Sequence, residues 1–176
     1  MTLHRFSVLI ASGGALAYAI SKVELTIRGE LGMPGFPAPA SAYGQFDPVS
    51  GQLSNAGVGV LTAALILVLL RPPARPVWRA ALLSISWLGT IIVGVGVVIF
   101  TLRAAGVAPS LGVPAIGWQS WVALVAGAIW VAAWALANLT AATLSRQSSR
   151  GLSSSKLLTP SHHRRRHRTS SLGANE

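Results

Sequence analysis

Six polar side chains flank one connecting stretch of an otherwise largely apolar chain: Lys22, Glu24, Arg28, Asp47, Gln52 and Asn55. Together they offer cations, carboxylates and amides, the groups that bind a polar ligand. The stretch between Lys22 and Pro48 carries three of the chain's four acidic residues and four of its prolines. Glu24 and Arg28 are four apart and can pair along one helical face. Lys22 and Glu24 are two apart and do not face each other. Lys22 must therefore snorkel to headgroups or reach elsewhere, and Asp47 is its expected partner. Two readings follow. One is a ligand site under a lid of Tyr43 and Phe46. The other, which we favour, is a polar cap closing one end of a helical bundle.

The elements that hold these residues follow from composition. Hydrophobic residues make up 52% of the 176-residue chain and charged residues only 10%, against about 25% charged in soluble domains. Four apolar runs, residues 6–27, 48–70, 80–102 and 117–144, approach or exceed the roughly 20 residues that cross a bilayer. Hydrocarbon offers no partner to backbone N–H and C=O groups, so these runs must be helices. The expected fold is all-α: a four-helix transmembrane bundle over residues 1–145 with a disordered basic tail over 146–176. Asp47-Pro48 marks the start of the second helix, because Asp is a good N-cap and Pro is tolerated at the first helical position. Gln52, Asn55 and Gly59 then share a face, which is expected to point into the bundle.

Basic residues orient the bundle. With the N-terminus inside, the inner side holds eleven Lys and Arg and the outer side holds Lys22, Arg28 and Arg103. The expected location is a bacterial plasma membrane, multi-pass, with both termini cytoplasmic. The polar cluster then lies in the outer interfacial layer. His4 and Arg5, a short apolar core and Ala17-Tyr18-Ala19 also fit a cleavable leader, which would leave three spans. The apolar segment continues past that point to Ile27, so retention is expected.

Small residues recur within every span: Gly13 and Ala17; Gly59 and Ala63; Ser86, Gly89, Thr90, Gly94 and Gly96; Ala123 and Gly127. They permit close helix approach and serve a tight bundle or a homo-oligomer equally well. Trp118 and Trp121 suit one interfacial belt and Trp78 the other. Trp87, Trp130 and Trp134 lie deeper. Trp130 and Trp134 share a face with Asn138 and are expected to fill space rather than bind a ring. Asn138-Leu139-Thr140 matches a glycosylation sequon but lies at the membrane.

Seven of the fourteen Lys and Arg follow Ser145. Arg164, Arg165, Arg166 and Arg168 form a polybasic segment suited to anionic lipid headgroups, at about 1 kcal/mol per residue. Nucleic acid is not the expected partner, because no aromatic residues or nucleic-acid module accompany the charge. His162, His163 and His167 read as solvated charge, and no metal or other cofactor is expected. The absence of Cys removes disulfides, thiolate metal sites and Cys nucleophiles. It also excludes four-helix quinone reductases of the disulfide pathway. Small multidrug exporters rely on an embedded acid in the first span, whereas the first acid here, Glu24, lies near the outer edge. No catalytic triad, midplane carboxylate pair or nucleotide motif is present.

The segment GELGMPGFPAP, followed by YGQFDPVSGQLSN and a Gly/Ala-rich helix, resembles small four-helix membrane proteins of unknown function from high-GC Gram-positive bacteria. The resemblance covers roughly the first 70 residues. It implies the fold and the membrane location and brings no activity or catalytic residue. The expected function is that of a non-enzymatic accessory or scaffold component whose partners are the bilayer and a membrane protein or a second copy. The alternative is a small-molecule or lipid-binding or transport subunit with its polar site at the outer face.

Overall fold

The computed structural model describes residues 2–107, 114–115 and 117–157, with side chains between residues 3 and 143. The chain divides into two units, Met1–Leu144 and Ser145–Glu176. The first is a four-helix transmembrane bundle. Its helices are α1 (Thr2–Arg28), α2 (Pro48–Val68), α3 (Pro76–Ala104) and α4 (Trp118–Leu157). All four are long and apolar enough to cross a membrane. Between α1 and α2 lie two short paired strands, β1 (Gly32–Met33) and β2 (Phe36–Pro37), and a 3-10 turn over Ala40–Gly44. We call this connection the strap.

The second unit is described only to residue 157, and there it is helical. The helix thus passes the boundary at residue 145 that composition suggested. Apolar composition marks what sits in hydrocarbon, not where a hydrogen-bond ladder stops. The expectations for the rest of the tail, including Arg164, Arg165, Arg166 and Arg168, lie outside the described residues.

The helix ends follow local rules. Asp47 Oδ2 accepts the Ser50 N–H at 2.8 Å with Pro48 at the first helical position, as the sequence predicts. α1 closes at Gly29, whose φ of 67° suits a residue without Cβ. Gly29 N–H bonds Thr26 O at 3.1 Å and Glu30 N–H bonds Leu25 O at 2.9 Å, the paired bonds of a Schellman cap.

α1 and α2 pack closely through small residues. Ala11, Ala15 and Ala19 on α1 and Ala56 and Ala63 on α2 are all buried. A Cβ on Gly59 would stand 3.0 Å from that of Ala19, so glycine sets the approach. The predicted α1 contact pair is displaced by one residue. Gly13 meets nothing within 4 Å and Ala17 is exposed, whereas Gly14 receives Trp130, 2.6 Å from where its Cβ would stand. The α1 stripe follows Val8, Ala11 and Ala15, and position 14 borders it while position 13 does not. The main core joins this stripe to Ile66, Leu69, Trp130, Trp134 and Ala137. A smaller one at the strap end gathers Phe36, Ala104 and Leu124.

Candidate functional site

The strap is built to fit the bundle end. Its hairpin turns at Met33-Pro34-Gly35-Phe36, the residue pattern of a type II turn with Pro second and Gly third. Gly35 has φ of 75°, and a Cβ there would overlap Ser120 of α4. Ser120 Oγ donates to Gly35 O at 2.8 Å. Phe36 then drops into the seam between α3 and α4, 2% exposed. It meets Phe100 edge-on at 5.1 Å between centroids. The Arg103 guanidinium lies 5.6 Å over the Phe36 ring and donates to Pro37 O at 3.4 Å.

From the other side, α1 and α2 hold the same strap. Lys22 is 4% exposed. Its Nζ donates to Gly32 O at 2.6 Å and lies 5.2 Å over the Tyr18 ring. Gln52, 2% exposed, donates through Nε2 to Glu30 O at 3.0 Å and Gly32 O at 3.2 Å. Lys22 and Gln52 thus converge on one carbonyl. Gln52 Oε1 is buried and accepts no bond from any described residue.

The other four predicted residues do not join them. Glu24 and Arg28 pair at 2.5 Å, as their spacing predicts, on the outside of the helix with side chains 55% and 59% exposed. The expected approach of Lys22 to Asp47 is not made. Asp47 caps α2, and the Ser50 backbone N–H holds its carboxyl below the usual carboxylate range. Asn55 faces outward rather than into the bundle. The buried α2 stripe is Gln52, Ala56, Gly59, Ala63 and Ile66, and Asn55 stands about 60° to its side by the helical period. Its amide donates back to Gly51 O at 2.9 Å. Tyr43 and Phe46 form no lid. The Tyr43 hydroxyl accepts the Leu31 N–H at 3.0 Å, and Phe46 is 61% exposed.

A second polar cluster lies deep between α3 and α4. Trp134 is 1% exposed and donates through Nε1 to Ser86 Oγ at 2.8 Å. Ser86 Oγ donates to Asn138 Oδ1 at 2.6 Å, and Asn138 Nδ2 donates to Thr90 Oγ1 at 3.0 Å. Thr90 Oγ1 donates to Ser86 O at 2.9 Å. Trp134 also stacks on Trp130 with centroids 6.1 Å apart and an 8° interplanar angle. Gly89 makes room for it, the ring lying 2.6 Å from where a Cβ would stand. The two Trp rings fill space, as the sequence suggests, and Trp134 also donates a bond.

A third contact was not foreseen. His4 is buried, with Nε2 3.0 Å from Leu69 O and Nδ1 2.8 Å from Thr140 Oγ1. It ties the start of α1 to the end of α2 and to α4. The signal was present in the spacing: His4, Val8, Ala11 and Ala15 fall on one stripe.

Among the described residues, no group of three His, Asp or Glu side chains is placed to hold a metal ion. Comparison with protein-family models, with curated proteins and with solved structures found no match.

Proposed function

We propose that this chain is a non-enzymatic accessory or scaffold component of a bacterial plasma membrane, with both termini cytoplasmic. One observation carries the reading: the polar side chains at the strap end bind the protein's own chain. Lys22 and Gln52 hold strap carbonyls, Asp47 caps α2, and Glu24 and Arg28 hold each other. This is the chemistry of a closure. The outside of the bundle is apolar along its length, with Ile91, Val95, Val98, Leu61 and Ile129 all exposed. That surface suits lipid and a membrane-protein partner or second copy. The basic tail, with Arg164, Arg165, Arg166 and Arg168, complements anionic headgroups on the inner leaflet.

Crosslinking in native membranes followed by purification of the full chain tests this reading. A stoichiometric membrane-protein partner or a second copy is the expected product. Turnover of a small molecule by the purified protein alone would overturn it. Orientation is tested separately: a reporter active only outside the cytoplasm should be silent after Glu176 and active near Pro39. Intact mass checks that the first span is retained, since cleavage after Ala19 would remove Val8, Ala11 and Ala15 from the core.

One observation favours the second reading, a small-molecule or lipid-binding or transport subunit. Lys22 is a buried ammonium with no carboxylate against it among the described residues, and Gln52 Oε1 beside it lacks a donor. Ionisable groups within spans are functional candidates by default. Saturable binding of a polar ligand, lost in Gln52→Leu with the fold retained, would select this reading over the first.

A further inference from the structure

The seam between α3 and α4 is filled at two levels and open between them. Toward the strap, Phe36 is wedged among Phe100, Ala104 and Leu124. Deeper in the bundle, Trp134, Ser86 and Asn138 close it. Between these plugs runs a groove of about 600 Å³, lined by Thr90, Gly94 and Val98 of α3 and by Ala128, Val131 and Ala132 of α4. Phe100 lies one turn beyond Val97 of the groove wall, and Leu124 one turn before Ala128, so Phe36 occupies the same seam. Lying between these two plugs, the groove is open on the side where Ile91, Val95 and Val98 are exposed, the surface that faces hydrocarbon in a membrane-spanning bundle.

We propose that this groove holds one acyl chain of a phospholipid from the leaflet at the strap end. Three features identify the occupant. First, nothing in the groove asks for a hydrogen bond: its one polar side chain, Thr90, donates to Ser86 O and accepts from Asn138. Second, the size fits a chain. The α3 wall runs from residue 90 to 99, about 15 Å at 1.5 Å per residue. That is half of the roughly 30 Å hydrocarbon core, the depth of one leaflet. A docked transmembrane helix would need the whole thickness. Third, the position fits one leaflet. The groove starts near the middle of α3 (Pro76–Ala104) and stops one turn short of the layer where Arg103 and the strap lie. Gly94 and Ala128 create the slot by leaving out side-chain volume.

The test uses the full-length protein in vesicles of phospholipid carrying a photoreactive group midway along one acyl chain, with adducts mapped by mass spectrometry. Adducts should concentrate on residues 94–98 and 128–132, several-fold above Leu61 and Val60, which are exposed on α2. Gly94→Leu fills the slot and should return the α4 adducts to the level of Leu61 while leaving labelling of α2 unchanged. Ala132→Leu fills it from the opposite wall, and the unmodified protein's own map decides if neither variant folds. Uniform labelling of groove and α2 would overturn the proposal, leaving only annular lipid. Protection of the groove below the level of Leu61 would also overturn it, and would assign the slot to protein.

Discussion

The two polar regions of this bundle solve the same problem differently. At the strap end, side chains donate to backbone: Lys22, Gln52 and Ser120 bond the carbonyls of Gly32, Glu30 and Gly35. In the middle, side chains bond mainly one another, Trp134 to Ser86 to Asn138 to Thr90. The difference follows from what each level of the bundle can supply. Within a helix the carbonyls are already engaged by N–H groups one turn on, so a buried polar side chain either shares a carbonyl one turn back, as Thr90 does with Ser86 O, or finds another side chain. A loop has carbonyls without helical partners, and it can be tied down by any donor within reach. Loop-tying leaves its signature in neither residue type nor spacing, whereas side-chain networks at least leave polar residues in apolar helices.

The comparison can be broken most forcefully in the middle. Trp134→Ala empties the buried ring site between α3 and α4 and removes the donor to Ser86. A loss of about 3–5 kcal/mol is expected, measured as reversible unfolding in detergent. Phe36→Ala removes the corresponding plug at the strap end. It should cost about 3 kcal/mol, the lower end of that range, because the strap can settle into the space. A larger loss at Phe36 than at Trp134 would make the strap the principal tie between the two helix pairs.

Backbone-directed bonds should also differ in their coupling. Gly32 O has two donors, so Lys22→Met and Gln52→Leu should each cost about 1 kcal/mol. Together they leave that carbonyl without either side-chain donor, and the double change should exceed the sum by roughly 1 kcal/mol or more. Lys22→Met and Asp47→Ala share no partner and should combine additively. Thermal unfolding of the three single and two double variants in one detergent reads both cycles, and coupling between Lys22 and Asp47 would restore the ion pair that their positions in sequence suggest.

The smallest effect concerns pH. Ser50 N–H depresses the Asp47 carboxyl, so its contribution is fully present above the unfolded value near about 3.9. It is lost as pH falls through the lower folded value. Asp47→Asn keeps a capping oxygen and removes the titration. Melting temperature followed from neutral pH into acid should therefore fall less steeply for the variant. Parallel curves would show that the cap does not depend on charge.

What could be read from sequence was local. The spans depend on continuous apolar runs, and the Asp47-Pro48 helix start and the Glu24–Arg28 pair on residues about a turn or less apart. The partner of Lys22 was not legible because it is a peptide carbonyl, which every residue carries. The burial of Phe36 was equally hidden, since a Phe between glycines and prolines reads the same whether it faces lipid, water or a seam. Asn55 was misplaced because spacings of three and four define a face only to within its flanks. Trp134, Ser86, Asn138 and Thr90 were each singled out, but their pairing joins positions about 50 apart. His4 carried a readable spacing, but beside Arg5 it read as part of a polar N-terminal segment.

The clasp of His4 has a consequence for how the molecule is made. His4 meets Thr140, 136 residues later, and Gly35 meets Ser120, 85 residues later. α1 and α2 can pair as soon as both are synthesised, but neither contact closes until the last span arrives. A chain interrupted before α4 keeps His4 half-bonded, Phe36 without Leu124 and the Ser86 hydroxyl without its acceptor. The contacts that finish the bundle thus also report that α4 has been made. A ribosome-released fragment ending at Gly117 should be cleared by membrane proteases much faster than the full chain in a pulse-chase, and co-expression of α4 as a separate segment should slow that clearance.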